Sequence, residues 1–286
     1  MKLYKTTKGI ILEQAGAAYI VDDQWDTLIN RDNLAAYLQE IIDDTTALGA
    51  DVQHEFLNGP LLPPIGAQEV WAAGVTYLKS RDARMEESES SGAASLYDKV
   101  YDAPRPELFF KATAQRVSGH GAEVYIRKDS EWNVPEPELT LYINSKGNIQ
   151  GYTIGNDMSS RSIEGENALY LPQAKIYEKS AALGPCLYVS AEPIPGESAI
   201  KLVIKRNDVP VYEDETTISR IKRSFTELVG YLYAECDFPQ GCFLMTGTCL
   251  VPPPTFTLQV GDVVVITIDN IGTMVNIIGI NPKHKL

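Results

Sequence analysis

The sequence predicts an α+β, β-rich protein, and three observations carry that expectation. Downstream of residue 68, short apolar or alternating runs bounded by glycine, proline and asparagine recur, with few helical stretches between them. Upstream, three strand-like runs precede one amphipathic helix. A proline- and glycine-rich connector, NGPLLPPIG over 58–66, separates the two regions. The expected organisation is a small N-terminal α/β domain over 1–62 and a large domain over 63–286, which a chain of 286 residues is long enough to support.

The N-terminal runs are KLYKTT, GIILEQ and AAYIVD. A helix from about Asn33 follows, with Leu34, Tyr37, Leu38, Ile41 and Ile42 as its apolar stripe. After the connector, EVWAAG reads as a strand that turns at Gly74 and leads into a charged helix. The small, polar run ESESSGAAS makes about 76–103 a candidate lid. PELFFKAT then reads as a buried strand, with Glu107 on one side and Lys111 after it. His120 stands in a GHG turn at 119–121, where an exposed turn residue and a pocket residue are equal readings.

The chemistry concentrates in 131–161, EWNVPEPELTLYINSKGNIQGYTIGNDMSSR. Glu136 and Glu138 are two apart and leave the same face of a strand, while Pro137 suits an edge or a bulge. LTLYI continues the strand, Asn144 to Gly147 reads as a hairpin turn, and the returning strand delivers Asp157 beside the glutamates. Three adjoining carboxylates repel one another unless a cation neutralises them. With only oxygen donors, and no histidine or thiolate nearby, the expected ion is Mg²⁺, with Mn²⁺ and Ca²⁺ as competitors.

Past Arg161, LPQAKIY places Lys175 shortly before Gly184 and Pro185. The remainder, AIKLVIKRN, a helix near 219–234, CFLMTGT and QVGDVVVITIDNIGTMVNII, reads as hairpinned sheet. A net charge of −13 repels phosphate backbones and argues against nucleic-acid partners. No apolar run has the length of a membrane span, and the start lacks the apolar core of a secretory signal. Four cysteines without metal-site or CxxC spacing suit a reducing, cytoplasmic setting, and three histidines exclude a histidine-rich metal site.

PELFFKAT, PEPELTL, GYTIGNDMSSR, LPQAKIY followed by LGP, LMTGT and QVGDVVVITIDNIG, in this order over about 68–280, resemble the fumarylacetoacetate hydrolase family. The resemblance implies a mixed β-roll core, Mg²⁺ on Glu136, Glu138 and Asp157, and a small 2-oxo acid substrate chelated by the metal. Arg161, Lys175 and Thr248 fall on positions that line the family's substrate site, and a homodimer or homotetramer is expected. Hydrolytic and decarboxylating members open the lid with Asn-Tyr-x-x-His and a following glutamate that activate water; here the stretch is Thr76-Tyr77-Leu78-Lys79-Ser80.

KVYDAPRPELFFKAT, GHG, DSEW, PEPEL and LYLPQAKIY are most similar to the sugar-acid dehydratases of that family. This implies loss of water from a 2-keto-3-deoxy pentonate to give 2,5-dioxopentanoate. Lys175 and Glu107 are the expected proton-transfer pair, with acid and base unassigned between them. Arg161 has two readings, a clamp on the substrate carboxylate and a partner of a metal-binding acid; Thr248, His120, Lys111 and Tyr77 complete the expected substrate contacts. The rival enzyme is an acylpyruvate hydrolase or oxaloacetate decarboxylase with Glu86 or Glu87 activating water. The rival of another class is a sugar-acid-binding protein without turnover.

Overall fold

The computed structural model describes residues 1–57, 59–78, 85 and 94–283. Half of the expected lid over 76–103, including Ser80, Glu86 and Glu87, lies outside the described residues. Among those residues the chain is β-rich, with strands paired into two main sheets.

The three N-terminal runs form β1 (Lys2–Thr6), β2 (Gly9–Gln14) and β3 (Ala17–Val21), an antiparallel meander. Helices α1 (Trp25–Ile29) and α2 (Leu34–Asp44) follow. Leu34 and Leu38 of the expected stripe are buried, and Tyr37, Ile41 and Ile42 pack beside them. Helix α3 (Ala50–Leu57) and the short β4 (Leu61–Leu62) lead to β5 (Glu69–Gly74). Helix α4 (Ala94–Asp102) precedes β6 (Glu107–Thr113), β7 (Val117–Ser118), β8 (Glu123–Ile126) and β9 (Asn133–Val134).

The central hairpin is β10 (Pro137–Ile143) and β11 (Ile149–Asp157), followed by β12 (Ser159–Ser160) and helices α5 (Arg161–Glu166) and α6 (Leu171–Lys175). Strands β13 (Ala181–Tyr188), β14 (Ala199–Arg206) and β15 (Val209–Thr217), helix α7 (Phe225–Tyr233), then β16 (Cys242–Met245), β17 (Val263–Ile268) and β18 (Gly272–Ile280) complete the chain.

In the larger sheet the order is β3-β2-β1-β13-β11-β10-β16-β5-β6, with β4 against β1 and β7 against β13. The segment 1–62 thus joins this sheet through the β1–β13 ladder. The second sheet runs β15-β14-β17-β18-β8. One face of the large sheet packs on the second sheet, bringing Leu139, Leu141 and Ile154 against Leu202, Val264 and Ile266. Its other face is covered by α1 and α2, with Leu28, Ile29, Leu34 and Leu38 against Val70, Tyr142, Leu187 and Phe243. Covering both faces explains why β10 is buried along its whole length although its sequence alternates.

Two local expectations differ. The strand begun by Pro137 lies inside the sheet, between β11 and β16, because proline as first strand residue removes no ladder bond that the fold needs there. The apolar LFF run belongs to β6 at the sheet's margin, where Leu108, Phe109 and Phe110 are only half-buried.

Candidate metal centre and active site

The β10–β11 hairpin sets the site. Its register places Glu138 opposite Gly155 and Pro137 opposite Asn156, and the Asp157 amide donates to the Glu136 carbonyl at 2.9 Å. The turn closes by bonds from Asn144 N to Asn148 O and from Gly147 N to Asn144 O, both 2.9 Å. Gly147 takes a φ of +80° there, a conformation that glycine adopts without a Cβ penalty. One carboxylate oxygen from each of Glu136, Glu138 and Asp157 then lies within 4.8 Å of the others, and all three residues are buried.

Cations surround them. Lys175, at the end of α6, donates to Glu136 Oε2 and to Asp157 Oδ2 at 3.1 Å. The Arg161 guanidinium, at the start of α5, donates to Glu136 Oε1 at 2.5 Å, the partner-of-an-acid arrangement of its two sequence readings. Lys111 lies 2.6 Å from Asp157 Oδ1 and donates to the carbonyls of Met158 and Lys175 at 2.9 and 2.6 Å. Lys111 thus places two of its hydrogens on backbone carbonyls and its charge beside Asp157, which it holds in place.

Glu138 has a different partner. The backbone N–H of Gly247 donates to its Oε2 at 2.6 Å. Burial, reinforced by the charges of Asp157 and Glu136, pushes the Glu138 carboxyl well above its usual range. Burial likewise pushes the Lys111 ammonium down, with Asp157 opposing. A buried, oxygen-only and mutually repelling trio is the donor set that a hard dication takes, so the residues fit Mg²⁺. Among the described residues it is the one group of at least three acids, histidines or cysteines close enough to share an ion.

A small cavity opens on the trio, lined also by Arg161, Lys175, Phe109, Gly247 and Thr248. Thr248 lines this cavity, with its Oγ1 accepting from Leu250 N at 3.2 Å. Tyr77 is buried and lines a neighbouring cavity with Tyr101 and Cys249. Burial raises its phenol pKa, and nearby Cys249 and Glu138 add to the effect. Glu107 begins β6 opposite Gly74 and lays its carboxylate across that glycine, where a Cβ would stand 1.9 Å from Oε2. His120 is not among the residues that line the cavity on the trio. Its Nδ1 lies 3.1 Å from the Thr273 carbonyl, and the preceding and following glycines pack the turn against other backbone.

Three contributors escaped the sequence reading. Gly247 holds a φ of +96°, and a Cβ there would come within 2.0 Å of Thr76 Oγ1, so both its N–H and its missing side chain serve the site. Its signal was the glycine of the TGT run. Glu164 is buried in α5, accepting from Ser159 Oγ at 2.9 Å with Arg161 Nη1 at 3.5 Å. Nothing in RSIEGE separates that glutamate from a solvated one. Ser159 is likewise visible only once the fold is known.

Comparison with known proteins agrees with this architecture. Residues 70–278 match the family described as fumarylacetoacetate (FAA) hydrolase C-terminal. A probable 2-keto-3-deoxyxylonate dehydratase of Haloferax volcanii is 46% identical over 250 residues, covering 86% of this chain and 81% of the relative. The 2-dehydro-3-deoxy-D-arabinonate dehydratase of Saccharolobus solfataricus is 43% identical over 214 residues, covering 74% and 72%. A solved structure of 2-keto-3-deoxy-D-arabinonate dehydratase, complexed with magnesium and 2,5-dioxopentanoate, superposes with a TM-score of 0.81 at 33% identity, over 99% of this chain and 100% of that one. With the match spanning most of its length and the acidic trio on its central hairpin, the chain belongs to the fumarylacetoacetate hydrolase family.

Proposed function

We propose that the protein is a Mg²⁺-dependent hydro-lyase that dehydrates a 2-keto-3-deoxy pentonate, such as 2-keto-3-deoxy-D-arabinonate, to 2,5-dioxopentanoate. The observation that carries this reading is the buried trio of Glu136, Glu138 and Asp157, ringed by Lys175 and Arg161. It occurs in a chain 46% and 43% identical to two sugar-acid dehydratases.

Glu136, Glu138 and Asp157 would hold the ion. When bound, Mg²⁺ supplies Lewis-acid stabilisation of the negative charge that develops on the C2 oxo oxygen as the C3 proton departs. The chain's own residues do the rest. Lys111 fixes Asp157 and Gly247 N–H fixes Glu138, so two of the three donors are oriented before any ligand arrives. Arg161 and Lys175 line the cavity and favour an anionic head group.

Lys175 and Glu107 are the proposed proton carriers. One takes the C3 proton, and one protonates the C4 hydroxyl as it leaves as water; transfer of a C5 proton to C3 and ketonisation then yield the C5 aldehyde. Thr248, which lines the cavity on the trio, and Tyr77, which lines the neighbouring cavity with Cys249, are proposed substrate contacts.

The direct test incubates purified protein with Mg²⁺ and a panel of 2-keto-3-deoxy pentonates and assays the dioxo product. Turnover of at least one pentonate that EDTA abolishes is expected. Cleavage of acylpyruvate or oxaloacetate without any pentonate turnover moves the reading to hydrolase or decarboxylase, and binding heat without product moves it to a binding protein.

We further propose a cytoplasmic homodimer or homotetramer, with 1–62 and 63–286 as its domain units. All four cysteines are free, which suits a reducing compartment. No described helix is long and apolar enough to cross a membrane. Sedimentation equilibrium at micromolar concentration distinguishes a monomer from the assemblies proposed.

A further inference from the structure

The inner end of the hairpin holds more buried charge than metal binding alone requires. The three ligand carboxylates and Glu164 face Lys111, Arg161 and Lys175, and each of these residues is at most 4% exposed. Glu164 stands outside the trio that gathers within 4.8 Å. It is tied to that trio through Arg161, which lies 3.5 Å from Glu164 Oε2 by one guanidinium nitrogen and 2.5 Å from Glu136 Oε1 by the other. The Ser159 hydroxyl donates to the same Glu164 oxygen at 2.9 Å. Glu107 is more exposed and lies outside this fully buried set.

Four buried carboxylates against three buried cations leave one negative charge over. A dication among them turns the excess to one positive charge, which a single ligand carboxylate cancels. Uncompensated buried charge is costly, so the loaded site is most stable with one anionic group and not two. We propose that Glu164 is the positioning residue that sets this balance, limiting the Mg²⁺-loaded protein to 2-oxo acids of one negative charge whose far end is neutral. The inference rests on the magnesium reading given above. It adds that a phosphorylated or dicarboxylic analogue is refused on charge before shape is considered.

Titration calorimetry of the Mg²⁺-loaded protein with pyruvate, a monoanion, and oxalate, a dianion that chelates a free dication more strongly, tests it. Wild-type protein is expected to bind oxalate no more tightly than pyruvate. In Glu164→Gln, which keeps an acceptor for Ser159, the oxalate-to-pyruvate affinity ratio should rise and Mg²⁺ affinity should fall. Each change is expected to be about tenfold or more, the scale of one unit charge several ångströms away at an effective dielectric of about 20. Glu164→Asp should keep the wild-type ratio. A wild-type preference for oxalate, an unchanged ratio in Glu164→Gln, or a Glu164→Asp that behaves like Glu164→Gln overturns the inference while leaving the dehydratase reading intact. Failure of wild-type protein to bind Mg²⁺ overturns both, and magnesium titration alone detects it.

Discussion

Ionising Glu138 costs this fold free energy. Its folded-state pKa lies above the ordinary value of 4.5 because it is buried beside Asp157 and Glu136. A carboxyl raised in this way favours the folded chain while protonated, and that advantage is lost as pH climbs from the unfolded value toward the folded one. Mg²⁺ requires the ionised form and offsets the loss. The Mg²⁺-induced rise in Tm is therefore expected to be larger at pH 8 than at pH 5.5, read from melts with the ion and with EDTA. Glu138→Gln should flatten that dependence, raise the metal-free Tm at pH 8, and lower kcat/KM by more than about 100-fold. Normal activity in this variant would remove Glu138 from the ligand set. At this scale the sequence was legible where spacing alone aims a side chain, as for Glu136, Glu138 and Asp157. It was illegible for Lys111, whose acceptors include the carbonyls of Met158 and Lys175, supplied by segments that only the fold brings near.

Among elements, the hairpin and the loop after β16 share the work. The alternation of β10 and the polar turn at 144–147 made the hairpin readable, because a register slip of one residue would turn every side chain to the other face. The loop was not readable to the same degree, since its contribution is a backbone N–H and the lack of a side chain. Gly247→Ala is expected to destabilise the protein by about 2–4 kcal/mol, from a strained φ and a forced contact with Thr76. It should also weaken Mg²⁺ binding by displacing the donor to Glu138. Gly121→Ala, also at positive φ but with nothing within 4 Å of the new Cβ, should cost only about 1 kcal/mol and leave the ion's affinity unchanged. Urea unfolding and magnesium titration of both variants make the comparison; equal losses would mean that the Thr76 contact plays no part. The half-buried LFF of β6 shows the limit of composition here. Its hydrophobicity was plain, but its place at a sheet margin depends on which strands come later in the chain.

The whole molecule ties distant segments to one centre: β6 supplies Lys111, the central hairpin the carboxylates, α5 and α6 Arg161 and Lys175, and the loop after β16 Gly247. An ion bound only by the folded chain stabilises all of them together. At about 100 times its Kd it adds about 2.7 kcal/mol, which for a chain of this size is a Tm increase on the order of 5 °C. Stripping the protein with EDTA and restoring Mg²⁺ should reverse that shift; a melt indifferent to the ion would mean that the trio is held by its lysines alone. The broad α+β class was legible because strand and helix periods are local, whereas the two-sided cover of the large sheet was not, since α1 and α2 cover, besides the neighbouring β1–β3, strands far from them in sequence: β5, β10, β13 and β16.

All three carboxylates of the proposed metal site fall between residues 136 and 157, so the loop joining them is short and its closure entropy small. The lysines that neutralise them come from outside that loop. During refolding without the ion, the hairpin must close against its own repulsion until Lys111 and Lys175 arrive. Mg²⁺ can supply the counter-charge at once, making the donor hairpin an early nucleus, and refolding followed by stopped-flow fluorescence should be faster with the ion than with EDTA.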